Sequence, residues 1–169
     1  PEVWAAALHL SWPHGKVGSM MFRANLGEKE VIQMFLHAPP HVLMAPDDLS
    51  IFNTLPDEIT AWRGVSSISK FRERGFSWTL DRDRAEWFAR ANTAQGTPII
   101  LEGTFKRTSI LMCSTFEEEI VINPLIPGSK ITRIPLEISE NFEKLPMLRD
   151  VLRERYAIKN PDMDTKMAA

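Results

Sequence analysis

Cysteine is all but missing: Cys113 stands alone in a chain of 169 residues. No disulfide can close within the chain, and no cysteine-built zinc site can form. A reducing compartment is therefore expected, the cytoplasm of a producing or infected cell, with specialised secretion left open. The four histidines form no cluster. His37 and His41 are four apart, but Pro39-Pro40 between them bars the helix that would bring both to one face, so no metal is expected. The eight glycines make no phosphate-cradling loop of the Walker or Rossmann kind. Neither sign of charge dominates: 20 basic and 22 acidic residues give a net charge of −2, which excludes a simple polyanion-binding chain. The basic residues Arg149, Arg153 and Arg155 read as a solvated face, with contact to a partner or RNA as the alternative. No apolar run approaches the roughly 20 residues that span a bilayer. Pro1-Glu2-Val3-Trp4 lacks the basic and apolar segments of a signal peptide, and no membrane partner is expected.

What is present is ordinary folded-protein material, 44% hydrophobic and 25% charged, enough for one domain with a real core. The expected class is α+β, a single domain over 1–169 without repeats. Its helical N-terminal section covers 1–59, a β core covers 60–138, and a closing helix with a frayed tail covers 139–169. In the first section, Val3 to Leu10 suits a short helix. Glu28 to His37 suits a better one, with Val31, Ile32, Phe35 and Leu36 on one face and Pro39-Pro40 as its stop. Asp47-Asp48 would cap a short helix through Phe52. Strands are expected at Ile59 to Val65, Gly75 to Thr79, Thr97 to Lys106, Ser109 to Met112, Glu119 to Ile122 and Lys130 to Ile138. A helix over Asp81 to Ala91, with Ala85, Phe88 and Ala89 inward, would be capped by Thr79 or Asp81. A last helix is expected from Leu145 to Tyr156, with Pro146 in its first turn.

Three short features carry possible chemistry. Trp62-Arg63-Gly64 puts an arginine in an apolar strand, where it must find an anion or reach solvent, and the glycine would let a ligand approach the backbone. The plainer reading is a salt-bridged or snorkelling arginine. Phe76-Ser77-Trp78-Thr79 places the hydroxyls of Ser77 and Thr79 on one strand face, unless Thr79 is simply a cap. Phe116-Glu117-Glu118-Glu119-Ile120-Val121-Ile122 runs an acidic triplet into an apolar strand. If strand geometry reaches back to Glu117, then Glu117 and Glu119 share a face and repel; otherwise the run is a solvated loop.

Taken in order, these elements resemble the arginine–serine–glutamate class of mono-ADP-ribosyltransferases of bacterial toxin and phage type. Trp62-Arg63-Gly64 matches its aromatic-Arg-Gly strand, and Phe76-Ser77-Trp78-Thr79 its Ser-Thr-Ser strand. Ala85, Phe88 and Ala89 match the following helix, Glu117-Glu118-Glu119 its Glu-x-Glu, and Pro127-Gly128-Ser129-Lys130-Ile131 its last turn and strand. The likeness covers Thr60 to Ile138. It departs in the tryptophan inside the hydroxyl triplet and the threonine at its end, both of which keep a hydroxyl on the site face.

The resemblance implies a split β-sandwich core and NAD as co-substrate. ADP-ribose would pass to a macromolecular acceptor, a host protein first, with RNA or DNA as the alternative. By this likeness Glu119 stabilises the positive charge that grows on the ribose. Ser77 holds Glu119 and the nearby ribose, Arg63 contacts the pyrophosphate with room left by Gly64, and Thr79 supports the wall. Trp62, Trp78 or Phe116 would stack on nicotinamide or the acceptor. Glu117 favours an arginine acceptor. Cys113 is expected to be a packing residue, since no basic neighbour lowers its pKa. An NAD glycohydrolase and a non-catalytic interaction module stay open beside this reading, and nothing in the sequence marks an oligomeric state.

Overall fold

The computed structural model describes residues 2–12, 26–68, 75–91, 96–115, 118–126 and 128–137. The helix expected at Leu145 to Tyr156, Arg149, Arg153 and Arg155, Phe116, Glu117 and Pro127 lie outside the described residues.

Among the described residues, four helices precede the sheet: α1 (Glu2–Ser11), α2 (Glu28–His37), α3 (Pro40–Leu43) and α4 (Pro46–Thr54). In α2, acidic Glu28 and Glu30 occupy the first turn and His37 the last, the arrangement that complements the helix dipole. Val31, Ile32 and Phe35 are buried, but Leu36 is 58% exposed. At about 100° per residue the buried arc centres near Val31 and Phe35, and Leu36 falls off its edge. The proline pair ends α2 as expected, and Pro40 then opens α3 at the first helical position, where a missing N–H costs nothing. Pro46 does the same for α4. Asp48 does not cap α4. It is buried, and its Oδ1 accepts the Thr115 amide at 2.6 Å, tying α4 to the loop before the acidic triplet.

The sheet contains β1 (Glu58–Ser66), β2 (Ser77–Thr79), β3 (Pro98–Lys106), β4 (Ile110–Ser114), β5 (Glu119–Ile122) and β6 (Ser129–Pro135), with α5 (Arg82–Ala91) between β2 and β3. The six strands lie in the order β4-β5-β2-β1-β3-β6, and every neighbouring pair is antiparallel. The class is therefore α+β. β4 and β5 are buried along their whole length, which is why they read as unbroken apolar runs rather than alternating ones. β1 alternates. Ile59, Ala61 and Val65 enter the larger core with residues of all four N-terminal helices, whereas Trp62 packs in a second cluster with Ala85, Ala89 and Ile100.

Two connections position the site. Because β2 and β3 are both antiparallel to β1, they run parallel to each other, and α5 must cross over β1 to join them. Asp81 caps that helix, accepting the Asp83 amide at 2.8 Å and the Arg84 amide at 3.3 Å. The sheet is also nearly divided at its middle. β1 follows β3 from Glu58↔Lys106 to Ser66↔Pro98, yet meets β2 only at Trp62↔Thr79. Among the described residues no helix is long and apolar enough to cross a membrane.

Candidate functional site

Arg63, Ser77 and Glu119 come together where β1 parts from β2. Were the ladder to continue past Trp62↔Thr79, Ser77 would face Gly64 and share backbone hydrogen bonds with it. Instead the Ser77 carbonyl accepts a hydrogen bond from Arg63 Nη1. The arginine side chain thus replaces the ladder bond that the opening strands give up. Its guanidinium rests against Gly75: a Cβ built there would stand 2.2 Å from Arg63 Cζ and 2.6 Å from Nε. Gly75 is the residue that lets the guanidinium lie along β2. Arg63 Nε is sealed from solvent and has no hydrogen-bond partner among the described residues. Burial pulls the Arg63 pKa down, and the Glu119 charge pulls it back up; burial wins.

Glu119 opens β5 between Thr79 of β2 and Ser114 of β4. Ser77 and Glu119 are diagonal neighbours on one face of the β2–β5 pair, close enough for side chains to meet. Ser77 Oγ donates to Glu119 Oε1. The same oxygen accepts the Trp12 indole N–H at 3.0 Å. Only 5% of Glu119 is exposed. A carboxylate so deeply placed persists in its charged form only with donors and a cation close by, and Ser77, Trp12 and Arg63 supply them.

No family model, curated protein or solved structure matches the chain. The site therefore rests on its own geometry.

That geometry corrects several expectations. At Gly64 the space a side chain would fill is taken by α5 rather than left for a ligand. A Cβ there would stand 2.1 Å from the Ala85 carbonyl oxygen and 2.3 Å from the Ala89 nitrogen, so the glycine exists to let α5 cross β1 at close range. The Thr79 hydroxyl donates to the Glu118 carbonyl at 3.1 Å and accepts the Asp81 amide at 3.1 Å. It locks the end of β2 to the residue before Glu119 and to the start of α5. Trp78 is buried, its indole N–H bonded to the Gly75 carbonyl at 2.9 Å, and Trp62 donates to Glu102 Oε2 at 2.9 Å. Burial takes Trp78 out of reach of a ligand, whereas Trp62 is half-buried.

The shared face for Glu117 and Glu119 does not follow from strand alternation. β5 begins at Glu119, and Glu118 has φ 49, in the left-handed region, so the extended run stops there. Glu117 itself lies outside the described residues. The turn at Glu118 is held because its carbonyl accepts the Leu80 amide at 2.9 Å as well as the Thr79 hydroxyl. Burial raises the Asp81 pKa, but the Arg84 and Asp83 amides, the Glu118 side chain and the Arg84 charge together bring it below the ordinary carboxylate value.

Sequence reasoning missed Trp12, Gly75 and Asp48. Trp12 and Asp48 belong to the helical section that shares no motif with the rest, and Gly75 reads only as the start of a strand. Cys113 is buried, and burial followed by the nearby Asp48 charge pushes its thiol up to about 12. Cavities of about 660 Å³, beside Phe52, Asp57 and Lys106, and about 470 Å³, beside Trp4, Gln33 and His37, are not lined by Arg63, Ser77 or Glu119.

Proposed function

We propose that the chain is an NAD-dependent mono-ADP-ribosyltransferase, and that the near-division of its sheet between β1 and β2 is the split of that family's β core. One observation carries the reading. Arg63, Ser77 and Glu119, spaced by 14 and 42 positions, meet through the Arg63–Ser77 and Ser77–Glu119 hydrogen bonds on three different strands. The serine hydroxyl is spent on the carboxylate, and a solvated acidic run would not bury its last carboxylate.

The chemistry follows from the parts. Breaking the bond between nicotinamide and ribose builds positive charge on the ribose, and a fixed carboxylate in a site of low water content stabilises it. Glu119 is that carboxylate, held by Ser77. Arg63 offers a planar donor fork of the kind that binds phosphate oxygens. ADP-ribose then passes to a macromolecular nucleophile, with Glu117 favouring a protein arginine.

The test is transfer of label from NAD tagged on its adenosine, using purified protein in bacterial lysate with Glu119→Gln beside it. The expected result is a labelled product that depends on Glu119 and is lost on protease digestion. Loss to nuclease instead would move the acceptor to nucleic acid, and NAD consumption without a labelled acceptor would make the enzyme a glycohydrolase. Equal labelling by a folded Glu119→Gln variant would remove Glu119 from the chemistry and sink the proposal.

A further inference from the structure

Trp12 of the N-terminal section reaches Glu119 directly. Trp12 follows α1, its amide bonded to the Leu8 carbonyl at 2.9 Å. Its ring meets Phe35 of α2 edge-on with centroids 5.0 Å apart, and Phe76 before β2 at 5.9 Å. The ring is thereby fixed on two sides. Its N–H points to Glu119 Oε1, 107 positions along the chain and 3.0 Å away. Ser77 donates to that same oxygen from β2.

An indole N–H and a buried carboxylate have unequal needs. The indole is a lone donor that any backbone carbonyl could satisfy, as the Gly75 carbonyl satisfies Trp78. An ionised carboxylate that is 5% exposed costs far more to leave unpartnered than an indole N–H does. The pairing therefore serves the carboxylate first. Two donors on one oxygen, arriving from different elements, fix both the position of the group and its rotation about the last side-chain bond.

We propose that Trp12 is a positioning residue for the Glu119 carboxylate, which makes the N-terminal helical section part of the catalytic site rather than a cover for the core. The proposal rests on the reading of Glu119 as the group that acts on the ribose of NAD. Catalysis by a charged group tolerates little misplacement, so the loss should fall on turnover rather than on NAD binding.

Two measurements test this, and the second fails independently of the proposed activity. In Trp12→Phe the ring contacts stay and only the N–H is lost. Turnover should drop about tenfold to a hundredfold, the effect of one hydrogen bond to a charged group. KM for NAD should stay within about twofold. A purely structural tryptophan would lower the thermal midpoint and leave turnover unchanged in the folded protein, and unchanged or raised turnover overturns the proposal. The second measurement needs no activity. The indole N–H resonance of Trp12, assigned by its loss in Trp12→Phe, should move and lose protection from solvent exchange in Glu119→Ala. Those of Trp62 and Trp78, bonded to Glu102 and Gly75, should stay in place. A Trp12 resonance indifferent to Glu119 overturns the contact even if Trp12→Phe does not fold. If the resonance responds but wild type and Glu119→Gln alike leave NAD untouched, the enzymatic reading falls and the contact stands.

Discussion

Two glycines eleven residues apart should answer the same substitution in opposite ways. In Gly64→Ala the new Cβ would lie 2.1 Å from the Ala85 carbonyl oxygen, 2.3 Å from the Ala89 nitrogen and 2.8 Å from Phe88 Cβ. Two of these are helix backbone, and ordinary contact begins only at 3.4 Å. The strand and α5 must therefore separate by about an ångström along the seam where Ala85, Ala89 and Ile100 are fully buried. That is overpacking without a flexible neighbour to absorb it, at or above the roughly 3 kcal/mol upper range of such changes. It corresponds to a fall of roughly 6–12 °C in thermal midpoint for a domain of this size. In Gly75→Ala the three atoms nearest the new Cβ all belong to Arg63: Cζ, Nη2 and Nε. The guanidinium is the far end of a flexible side chain and can swing out into water. The fold loses one charge-assisted hydrogen bond, worth about 1.5–3 kcal/mol, and recovers part of it by rehydrating a charge that burial had penalised. Its midpoint should fall by only a few degrees, while Arg63 leaves the site and NAD affinity falls. Thermal denaturation and NAD titration on both variants give the comparison. A Gly64→Ala protein as stable as wild type, or a Gly75→Ala protein that binds NAD unchanged, would refute the reasoning at that position.

The cap and the thiol give two further expectations. Asp81→Ala should cost about 1 kcal/mol through loss of the α5 cap. Because the folded-state pKa of Asp81 lies below the unfolded value of about 3.9, its contribution is complete above that value and fades as pH falls through the lower folded pKa. The stability gap between wild type and Asp81→Ala, followed by denaturant titration, should thus be constant at neutral pH and narrow in acid; a gap that widens in acid contradicts the assignment. Cys113, with its thiol near 12 and its side chain buried, should resist alkylation at pH 8 in the native protein and react on unfolding. Labelling of the native form at the rate of a free thiol would show that β4 opens.

The sheet was legible because its signals are local. The apolar runs of β3, β4 and β5 fall within a few residues of the expected bounds. Asp81 carries a capping side chain at the start of a pattern with period near 3.6. The three motif residues were legible as types in order, and antiparallel pairing turned order into proximity, since the β2–β5 register places Ser77 diagonal to Glu119. Errors arose where a residue has two possible neighbours. Gly64 has a ligand side and a helix side, and only the crossover of α5 above β1 decides between them. Asp48 has a helix to cap and a loop to hold. The Thr115 amide lies 67 positions away, a partner that no window of sequence contains.

The same argument explains why the N-terminal section looked mute. Its residues act on the site at long range, Trp12 on Glu119 and Asp48 on the start of the loop that leads to Glu119. That loop is held at its far end by the Thr79 hydroxyl and the Leu80 amide on the Glu118 carbonyl. Glu118 can then sit at φ 49, a strained setting for a residue with a side chain, because both flanks are fixed. A motif search sees Arg, Ser and Glu on strands. What orients them is a tryptophan, an aspartate and a glycine that belong to no motif, and whose importance follows from the burial of a single carboxylate.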